Sequence, residues 1–187
     1  REPQAALETR AAQASPDGAR FERELGAAGR VNVIAECKRR SPSRGVLAPA
    51  YDPVRLARLY EQGGAAAISV LTEPDFFRGS LDDLRGARRV LERAPALRKD
   101  FVLDGYQLVE ARAAGADAAL LIARILEGSA LRRLLGAARS LQLSALVEVR
   151  NEKELAGRYQ ARLEELETTL KGKEEEGDDY VPDVEDL

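Results

Sequence analysis

The fold is decided by residues 33–43, which read Val33-Ile34-Ala35-Glu36-Cys37-Lys38-Arg39-Arg40-Ser41-Pro42-Ser43. An apolar strand here becomes charged within a few residues and then enters a Ser-Pro-Ser loop. Side chains alternate along a strand, so Glu36 and Lys38 share a face, and buried ionised groups destabilise a fold unless they are paired. The pattern is repeated in Leu97-Arg98-Lys99-Asp100-Phe101 and in Ala145-Leu146-Val147-Glu148-Val149. Three apolar strands that end in charge indicate a functional site rather than a core.

The composition is that of a globular protein with one domain of ordinary size. Of 187 residues, 44% are apolar and 33% are charged, and the net charge of −3 gives no indication of nucleic-acid binding. No apolar run approaches the roughly 20 residues that a membrane-spanning helix needs. The single cysteine, Cys37, cannot form an intrachain disulfide, which favours a reducing, cytoplasmic setting. Histidine is absent, so proton transfer near neutral pH would use Lys, Glu, Asp, Tyr or Cys.

Apolar runs alternate with amphipathic helical stretches along the middle of the chain. The predicted strands are 31–38, 66–72, 97–101, 118–123 and 145–149, and the predicted helices are 53–63, 81–92, 105–114 and 127–141. Asp52 and Ser80 supply helix starts, and glycines at 63–64 and 115 supply helix ends. Repeated β-α-β units predict an α/β fold with a parallel sheet. Because no Gly-x-Gly-x-x-Gly turn is present, a (β/α) barrel is favoured over a dinucleotide-binding sheet.

The two ends of the chain differ from this middle, and we predict three parts. Residues 1–30 form an N-terminal helical extension, in which residues 21–25 are a short helix packed on the body. Residues 31–156 form a partial barrel. Residues 157–187 form a helix with an apolar seam, followed by an acidic tail that should be disordered. The seam consists of Tyr159, Leu163, Leu166 and Leu170.

Six motifs together resemble those of indole-3-glycerol phosphate synthase, a (β/α)8 TIM barrel of tryptophan biosynthesis. They lie between Phe21 and Leu155, in the family's order and at compatible spacings. The motifs are Ile34-Ala35-Glu36-Cys37-Lys38-Arg39-Arg40-Ser41-Pro42-Ser43, Ser69-Val70-Leu71-Thr72-Glu73, Phe77-Arg78-Gly79-Ser80, Leu97-Arg98-Lys99-Asp100-Phe101, Gly115-Ala116-Asp117-Ala118-Ala119-Leu120-Leu121-Ile122 and Leu146-Val147-Glu148-Val149. The resemblance covers the first five of the family's eight βα units, which implies a TIM-barrel type fold truncated to about five parallel units.

The resemblance implies an enzyme, a carboxy-lyase. That family converts 1-(2-carboxyphenylamino)-1-deoxyribulose 5-phosphate into indole-3-glycerol phosphate by ring closure, decarboxylation and dehydration. Lys99 would be the general acid that protonates the departing sugar oxygen, and Glu148 would be the base or proton relay of the later dehydration. Lys38 would bind the substrate carboxylate or transfer a proton, with Glu36 beside it as an electrostatic partner. No cofactor and no metal are implied.

The same resemblance implies contacts to a phosphorylated small-molecule substrate. Ser41 would lie near the phosphate end, and Phe77, Phe101 and Leu120 would form the apolar wall for the anthranilate ring. Each assignment has a structural alternative. The four charged residues could be an ion-pair network, the three apolar side chains could be core, and the Ser-Pro-Ser loop could be only a turn. Cys37 points away from Glu36, so it is interpreted as a buried structural thiol.

The family's last three βα units have no recognisable counterpart after Leu155. In such barrels the loops after strands seven and eight supply most of the contacts that bind the substrate phosphate. The chain also begins with Arg1 rather than Met. We therefore interpret it as a truncated, fused or misread gene product that has little activity alone and can self-associate through open sheet edges. The alternative is a non-catalytic interaction protein, in which the partial barrel is a platform and residues 157–187 bind a partner.

Overall fold

The computed structural model describes residues 2–152. Residues up to Glu148 form one compact unit, and residues 149–152 are the described part of a second. The strands are β1 (Ile34–Cys37), β2 (Arg40–Ser41), β3 (Gly45–Val46), β4 (Ala67–Leu71), β5 (Ala96–Lys99), β6 (Ala118–Ile122) and β7 (Ser144–Glu148). The helices are α1 (Gln4–Gln13), α2 (Gly18–Gly26), α3 (Pro53–Gln62), α4 (Leu81–Arg88), α5 (Gly105–Ala113) and α6 (Gly128–Ser140), with a 3-10 turn at Ala123–Ile125.

Two predictions cannot be compared with this structure. The helix and acidic tail predicted within residues 157–187, together with their partner-binding role, lie outside the described residues. The division of the chain into residues 1–30, 31–156 and 157–187 likewise stays a prediction.

Five parallel strands form one sheet in the order β1-β4-β5-β6-β7. Parallel neighbours cannot be joined by a tight turn and need a crossover, and α3, α4, α5 and α6 provide the four crossovers in turn. β2 and β3 form a separate antiparallel hairpin between β1 and α3. The predicted α/β fold, with five adjacent parallel strands in chain order, is therefore confirmed.

The predicted helix boundaries have the expected chemistry. The side chains of Asp52 and Ser80 cap α3 and α4 by accepting backbone N–H groups at 3.0 and 3.1 Å. After α3 and α5 the chain turns through Gly64 and Gly115, whose φ angles of 83° and 87° favour glycine. These turns return the α3 and α5 crossovers to the amino edge of the sheet, where β4 and β6 begin.

The sheet has two differently covered faces. The helix face packs against α3 to α6 and carries the larger core; its strand residues include Cys37, Ile68, Val70, Ala96, Ala119 and Leu121. The opposite face, here called the site face, carries Ala67, Leu97 and Ala118, and Phe21 of α2 packs on these three. Phe21 is only 3% exposed. The predicted short helix around Phe21 that packs on the body is thus confirmed.

Hydrogen bonds fix the start of α2 at the amino edge of the sheet. The Asp17 N–H donates to Asp117 Oδ1 at 2.9 Å, and the Ser144 hydroxyl donates to the Gly18 carbonyl at 2.9 Å. The Gly18 N–H donates to the Gln142 carbonyl at 3.3 Å. α2 therefore lies at the end of the sheet opposite to the charged strand ends and leaves those ends open.

Three local features differ from the prediction. β1 begins at Ile34 rather than at 31, because the preceding apolar residues are exposed, Val31 by 89% and Val33 by 51%. The helix predicted over 81–92 ends at Arg88, since the Glu61 carboxylate accepts the N–H groups of residues 92–94 and holds them in a loop. The loop after β1 contains the β2–β3 hairpin.

Candidate active site

The four residues predicted to be catalytic lie at the carboxyl edge of the sheet. Glu36 is in β1 and Lys38 directly follows that strand, while Lys99 and Glu148 are the last residues of β5 and β7. The residues two positions before Glu36, Lys99 and Glu148 all belong to the cluster around Phe21. Because side chains alternate along a strand, these three residues are on the site face.

Glu36 bridges the two lysines. Its Oε1 is 2.5 Å from Lys38 Nζ and its Oε2 is 2.6 Å from Lys99 Nζ. The three side chains remain 24%, 31% and 34% exposed for Glu36, Lys38 and Lys99. The group is therefore neither a dry core ion pair nor a fully hydrated surface pair, and a ligand approaching the carboxyl edge can reach it.

The charge state of this group follows from its contacts. Burial by itself raises the pKa of Glu36, but the hydrogen bonds and charges of Lys38 and Lys99 outweigh that effect and leave the pKa below its ordinary value. Glu36 is thus ionised near neutral pH. Each ammonium group has three N–H donors, so one bond to Glu36 leaves donors on both lysines for an oxygen of a ligand.

Glu148 does not join this group directly. It is exposed at the end of β7, where it pairs in register with Ile122. Within residues 2–152, no hydrogen bond or ion pair connects it to Glu36, Lys38 or Lys99. The structure brings three of the four charged residues together and places the fourth at the same edge of the sheet, on the other side of β6.

An aromatic group lies in the loops that follow β4 and β5, and one of its members is two residues after Lys99. The ring centroid of Phe101 is 6.3 Å from that of Phe77 and 6.3 Å from that of Phe76, which meets it edge-on. Phe101 and Phe76 are 38% and 56% exposed, whereas Phe77 is half-buried. Phe76 was not among the predicted wall residues. Its position next to Phe77 in the sequence could have marked it as a candidate. Which of the two adjacent phenylalanines faces the site, however, depends on the conformation of the loop.

Ser41 and Leu120 take different positions from these aromatics. Ser41 lies in the β2–β3 hairpin, where its Oγ accepts the Arg44 N–H at 3.2 Å, so part of its bonding capacity is used in the turn. Leu120 is 4% exposed in the middle of β6 and pairs in register with Leu146. Leu120 therefore belongs to the interior of the site face, at greater depth than Phe101.

A buried ion cluster that the sequence analysis did not identify lies next to Lys99, on the helix face. The Arg98 side chain is 4% exposed and points away from Lys99 because the two are adjacent in β5. Its guanidinium donates hydrogen bonds to Thr72 Oγ1 (3.2 Å), Asp100 Oδ2 (2.9 Å), Glu110 Oε2 (3.2 Å) and the Gln107 carbonyl (2.5 Å).

Asp100 connects this cluster to the ends of two strands. It accepts a hydrogen bond from the Thr72 hydroxyl at 2.6 Å and one from the Phe101 N–H at 2.8 Å. The Thr72 N–H in turn donates to the Lys99 carbonyl at 3.0 Å. The backbone on both sides of Lys99 is therefore fixed by buried polar contacts.

The described residues offer limited means of holding other groups. In residues 2–152, no three side chains of His, Cys, Asp or Glu lie together as a metal site. Cys37 is buried on the helix face, and burial, together with the carboxylates of Asp83 and Glu36, raises the pKa of its thiol to about 12. Of the helices in the described part of the chain, none has the length and apolarity to cross a membrane.

Parallel strands joined by helices, with charged side chains gathered at the carboxyl edge of the sheet, are the arrangement of the (β/α)8-barrel enzymes. The model of the indole-3-glycerol phosphate synthase family matches residues 1–164. The chain belongs to this family, and the resemblance seen in its motifs is confirmed.

Similar proteins carry the family's name. A protein from a Nocardioides species is 60% identical over 123 residues, which are 66% of this chain and 47% of that protein. One from Desulfosudis oleivorans is 51% identical over 133 residues, or 71% and 50% of the two chains. One from a Roseiflexus species is 48% identical over 158 residues, or 82% and 58%. Each is named indole-3-glycerol phosphate synthase. The chain spans about half the length of these curated relatives.

Proposed function

We propose that this chain supplies the first five βα units of an indole-3-glycerol phosphate synthase site. Its substrate would be 1-(2-carboxyphenylamino)-1-deoxyribulose 5-phosphate, which is converted into indole-3-glycerol phosphate with loss of CO2 and water. The observation that carries the proposal is the Glu36 carboxylate held between Lys38 and Lys99, at 2.5 and 2.6 Å, at the carboxyl edge of the sheet. An aromatic group that includes Phe101, two residues after Lys99, lies in the loops after β4 and β5.

The charged residues divide the reaction between them. Lys99 donates a proton to the departing sugar oxygen as the ring closes, and the bond to Glu36 fixes where its remaining donors point. Lys38 binds the carboxylate that leaves as CO2, because an ammonium group beside it favours the ionised form. Glu148, at the end of β7, takes up or relays the proton that is lost in the dehydration. Glu36 keeps the two ammonium groups side by side.

The remaining contacts position the substrate. Phe77 and Phe101, with Leu120 below them, form the wall for the anthranilate ring, since aromatic rings pack favourably edge-on or offset. Ser41 lies after β1 and binds toward the phosphate end of the substrate. A soluble phosphorylated substrate and the single, buried Cys37 support a cytoplasmic location.

A chimera tests the catalytic role of Lys99. The matched 123 residues of this chain replace their counterparts in the Nocardioides relative, and product formation is followed by its indole fluorescence. Lys99→Ala should lower kcat by about 10²–10⁴-fold, the range for loss of a general acid, with a much smaller change in KM.

Lys99→Arg separates catalysis from a purely structural ion pair. Arginine keeps the positive charge beside Glu36 but does not release its proton near neutral pH. A structural pair would be restored by arginine, whereas a general acid would not. A Lys99→Ala chimera within about threefold of its parent, or full rescue by arginine, would contradict the role.

The chain on its own should form little or no indole-3-glycerol phosphate. The described sheet has β1 and β7 as open edges, and in (β/α)8 barrels the phosphate site is built by the loops after strands seven and eight. Open edges also favour self-association, which light scattering would detect as a mass above that of the monomer. Turnover by purified monomer at the rate of the chimera would refute this expectation.

A further inference from the structure

We propose that Glu73 is a positioning residue that fixes the loop of residues 74–78 and thereby sets the aromatic wall of the site. The inference rests on the proposed function for the identity of the ring that the wall receives. The organisation of the loop by Glu73 is independent of that function. Loop organisation and ring binding are therefore tested by different measurements.

The Glu73 carboxylate is the centre of this loop. Glu73 is 6% exposed although it lies in the loop two residues after the end of β4. Its Oε1 accepts the N–H of Asp75 at 2.9 Å, and its Oε2 accepts those of Phe76 at 2.7 Å and Phe77 at 3.1 Å. Pro74 has no N–H, so Glu73 accepts every backbone donor from 74 to 77. One side chain thus determines the path of the segment that carries both phenylalanines.

The backbone closes the same loop. The Gly79 N–H donates to the Glu73 carbonyl at 2.8 Å, and a Cβ on Gly79 would lie 2.2 Å from the Leu71 carbonyl oxygen. Between them, Arg78 has a φ of 54°, a left-handed conformation that non-glycine residues adopt uncommonly. Such a turn needs specific support from its surroundings, and the three hydrogen bonds to Glu73 supply it.

The loop matters because of the side chains it presents. Phe76 and Phe77 meet Phe101, whose own N–H is fixed by Asp100 at 2.8 Å. The wall is therefore built from two independently anchored pieces, one fixed by Glu73 and the other by Asp100. Exposed phenylalanines on an unsupported loop would sample many positions, so ring binding would be weakened by the cost of ordering them.

Hydrogen exchange on the full chain tests the loop assignment. The amides of Asp75, Phe76 and Phe77 are followed by NMR in the parent, in Glu73→Gln and in Asp75→Asn. Both substitutions remove one carboxylate from the same loop, but Asp75 is exposed. Glu73→Gln places an amide NH2 group against N–H donors and should accelerate exchange at these amides by at least about tenfold, as expected when hydrogen bonds to a charged group are lost. Asp75→Asn should leave the exchange unchanged.

Binding of 2-(methylamino)benzoate, the ring portion of the proposed substrate, tests the consequence. Fluorescence titration should show an affinity about three- to tenfold weaker in Glu73→Gln than in Asp75→Asn or the parent, the range for lost aromatic contacts. Glu73→Asp keeps the charge but has a shorter side chain. It should therefore also show faster amide exchange and weaker probe binding than the parent and Asp75→Asn, and it replaces Glu73→Gln in both experiments if that variant does not fold.

The outcomes distinguish the loop assignment from the proposed function. Unchanged exchange in Glu73→Gln, or equal probe affinity in Glu73→Gln and the parent, would overturn the positioning role. Faster exchange in Glu73→Gln, with no binding of 2-(methylamino)benzoate by any of the proteins, would support the loop assignment and refute the proposed ring site.

Discussion

Replacing Arg98 with methionine should destabilise the folded chain by about 3 kcal/mol, the lower end of the range for breaking a buried ion pair. Methionine fills a similar volume, so the substitution chiefly removes the charge and four hydrogen bonds from a side chain that is 4% exposed. The lower end applies because Asp100 keeps its bonds to Thr72 and Phe101, and because Glu110 is 20% exposed and can be hydrated.

The measurement is urea unfolding of the full chain at pH 7, followed by circular dichroism, with the free energy of unfolding extrapolated to water. Arg58→Met is the matched control, since Arg58 is exposed on α3 and surface substitutions of this kind change stability by less than about 0.5 kcal/mol. An unchanged slope of unfolding free energy against urea concentration would show that Arg98→Met loses stability without a change in the compactness of the folded or unfolded state.

A loss of less than about 1 kcal/mol in Arg98→Met would refute the reasoning. It would mean that the desolvation of Arg98 offsets its four hydrogen bonds in the parent, and that the carboxylates of Asp100 and Glu110 find sufficient hydration without it. The fixed backbone beside Lys99 would then need another explanation.

Two further predictions concern packing and pH. Phe21→Ala should lower the free energy of unfolding by about 3–5 kcal/mol, whereas Phe76→Ala, at a site 56% exposed, should change it by less than about 1 kcal/mol; equal effects in urea unfolding would contradict the placement of Phe21. Because the pKa of Glu36 is lowered in the folded state, its stabilisation is present above the unfolded pKa of about 4.3 and is lost as the pH falls through the folded value. The urea midpoint should therefore fall less steeply below about pH 5 in Glu36→Gln than in the parent. The same pH dependence of the midpoint in both proteins would refute a stabilising role of the ionised Glu36 carboxylate.

The fold was predictable because its signals are local. The central strands are apolar runs, and several of their boundaries are fixed by neighbouring residues: glycines precede β4 and β6, and Ser80 and Asp104 start the helices that follow β4 and β5. The predicted helix boundary was less accurate where a side chain distant in sequence determines it. Glu61 holds residues 92–94 outside α4 from 31 to 33 positions away, and no pattern within residues 81–92 reveals this contact.

The site was predictable in part for the same reason. Alternation places Glu36 and Lys99 on one face, but the bond between them spans 63 positions in sequence and the intervening β4. Arg98 could be recognised as a charge on the opposite face of β5, whereas its partner Glu110 depends on how α5 packs. The sequence shows Glu73 only as the last residue of a motif, because the convergence of three backbone donors on its carboxylate depends on the conformation of the turn and not on the residue types.

The attachment of α2 has a consequence for how the chain folds. Its contacts with Asp117 and Ser144 join residues 100 and 126 positions apart, and contacts of such separation carry a large loop-closure entropy. At a synthesis rate of about 5–20 residues per second, α2 leaves the ribosome on the order of 6–25 seconds before β7 exists to receive it. Neighbouring strands can pair during that interval, so Phe21 docks onto a sheet that is already forming. Its loss should accordingly speed unfolding far more than it slows folding.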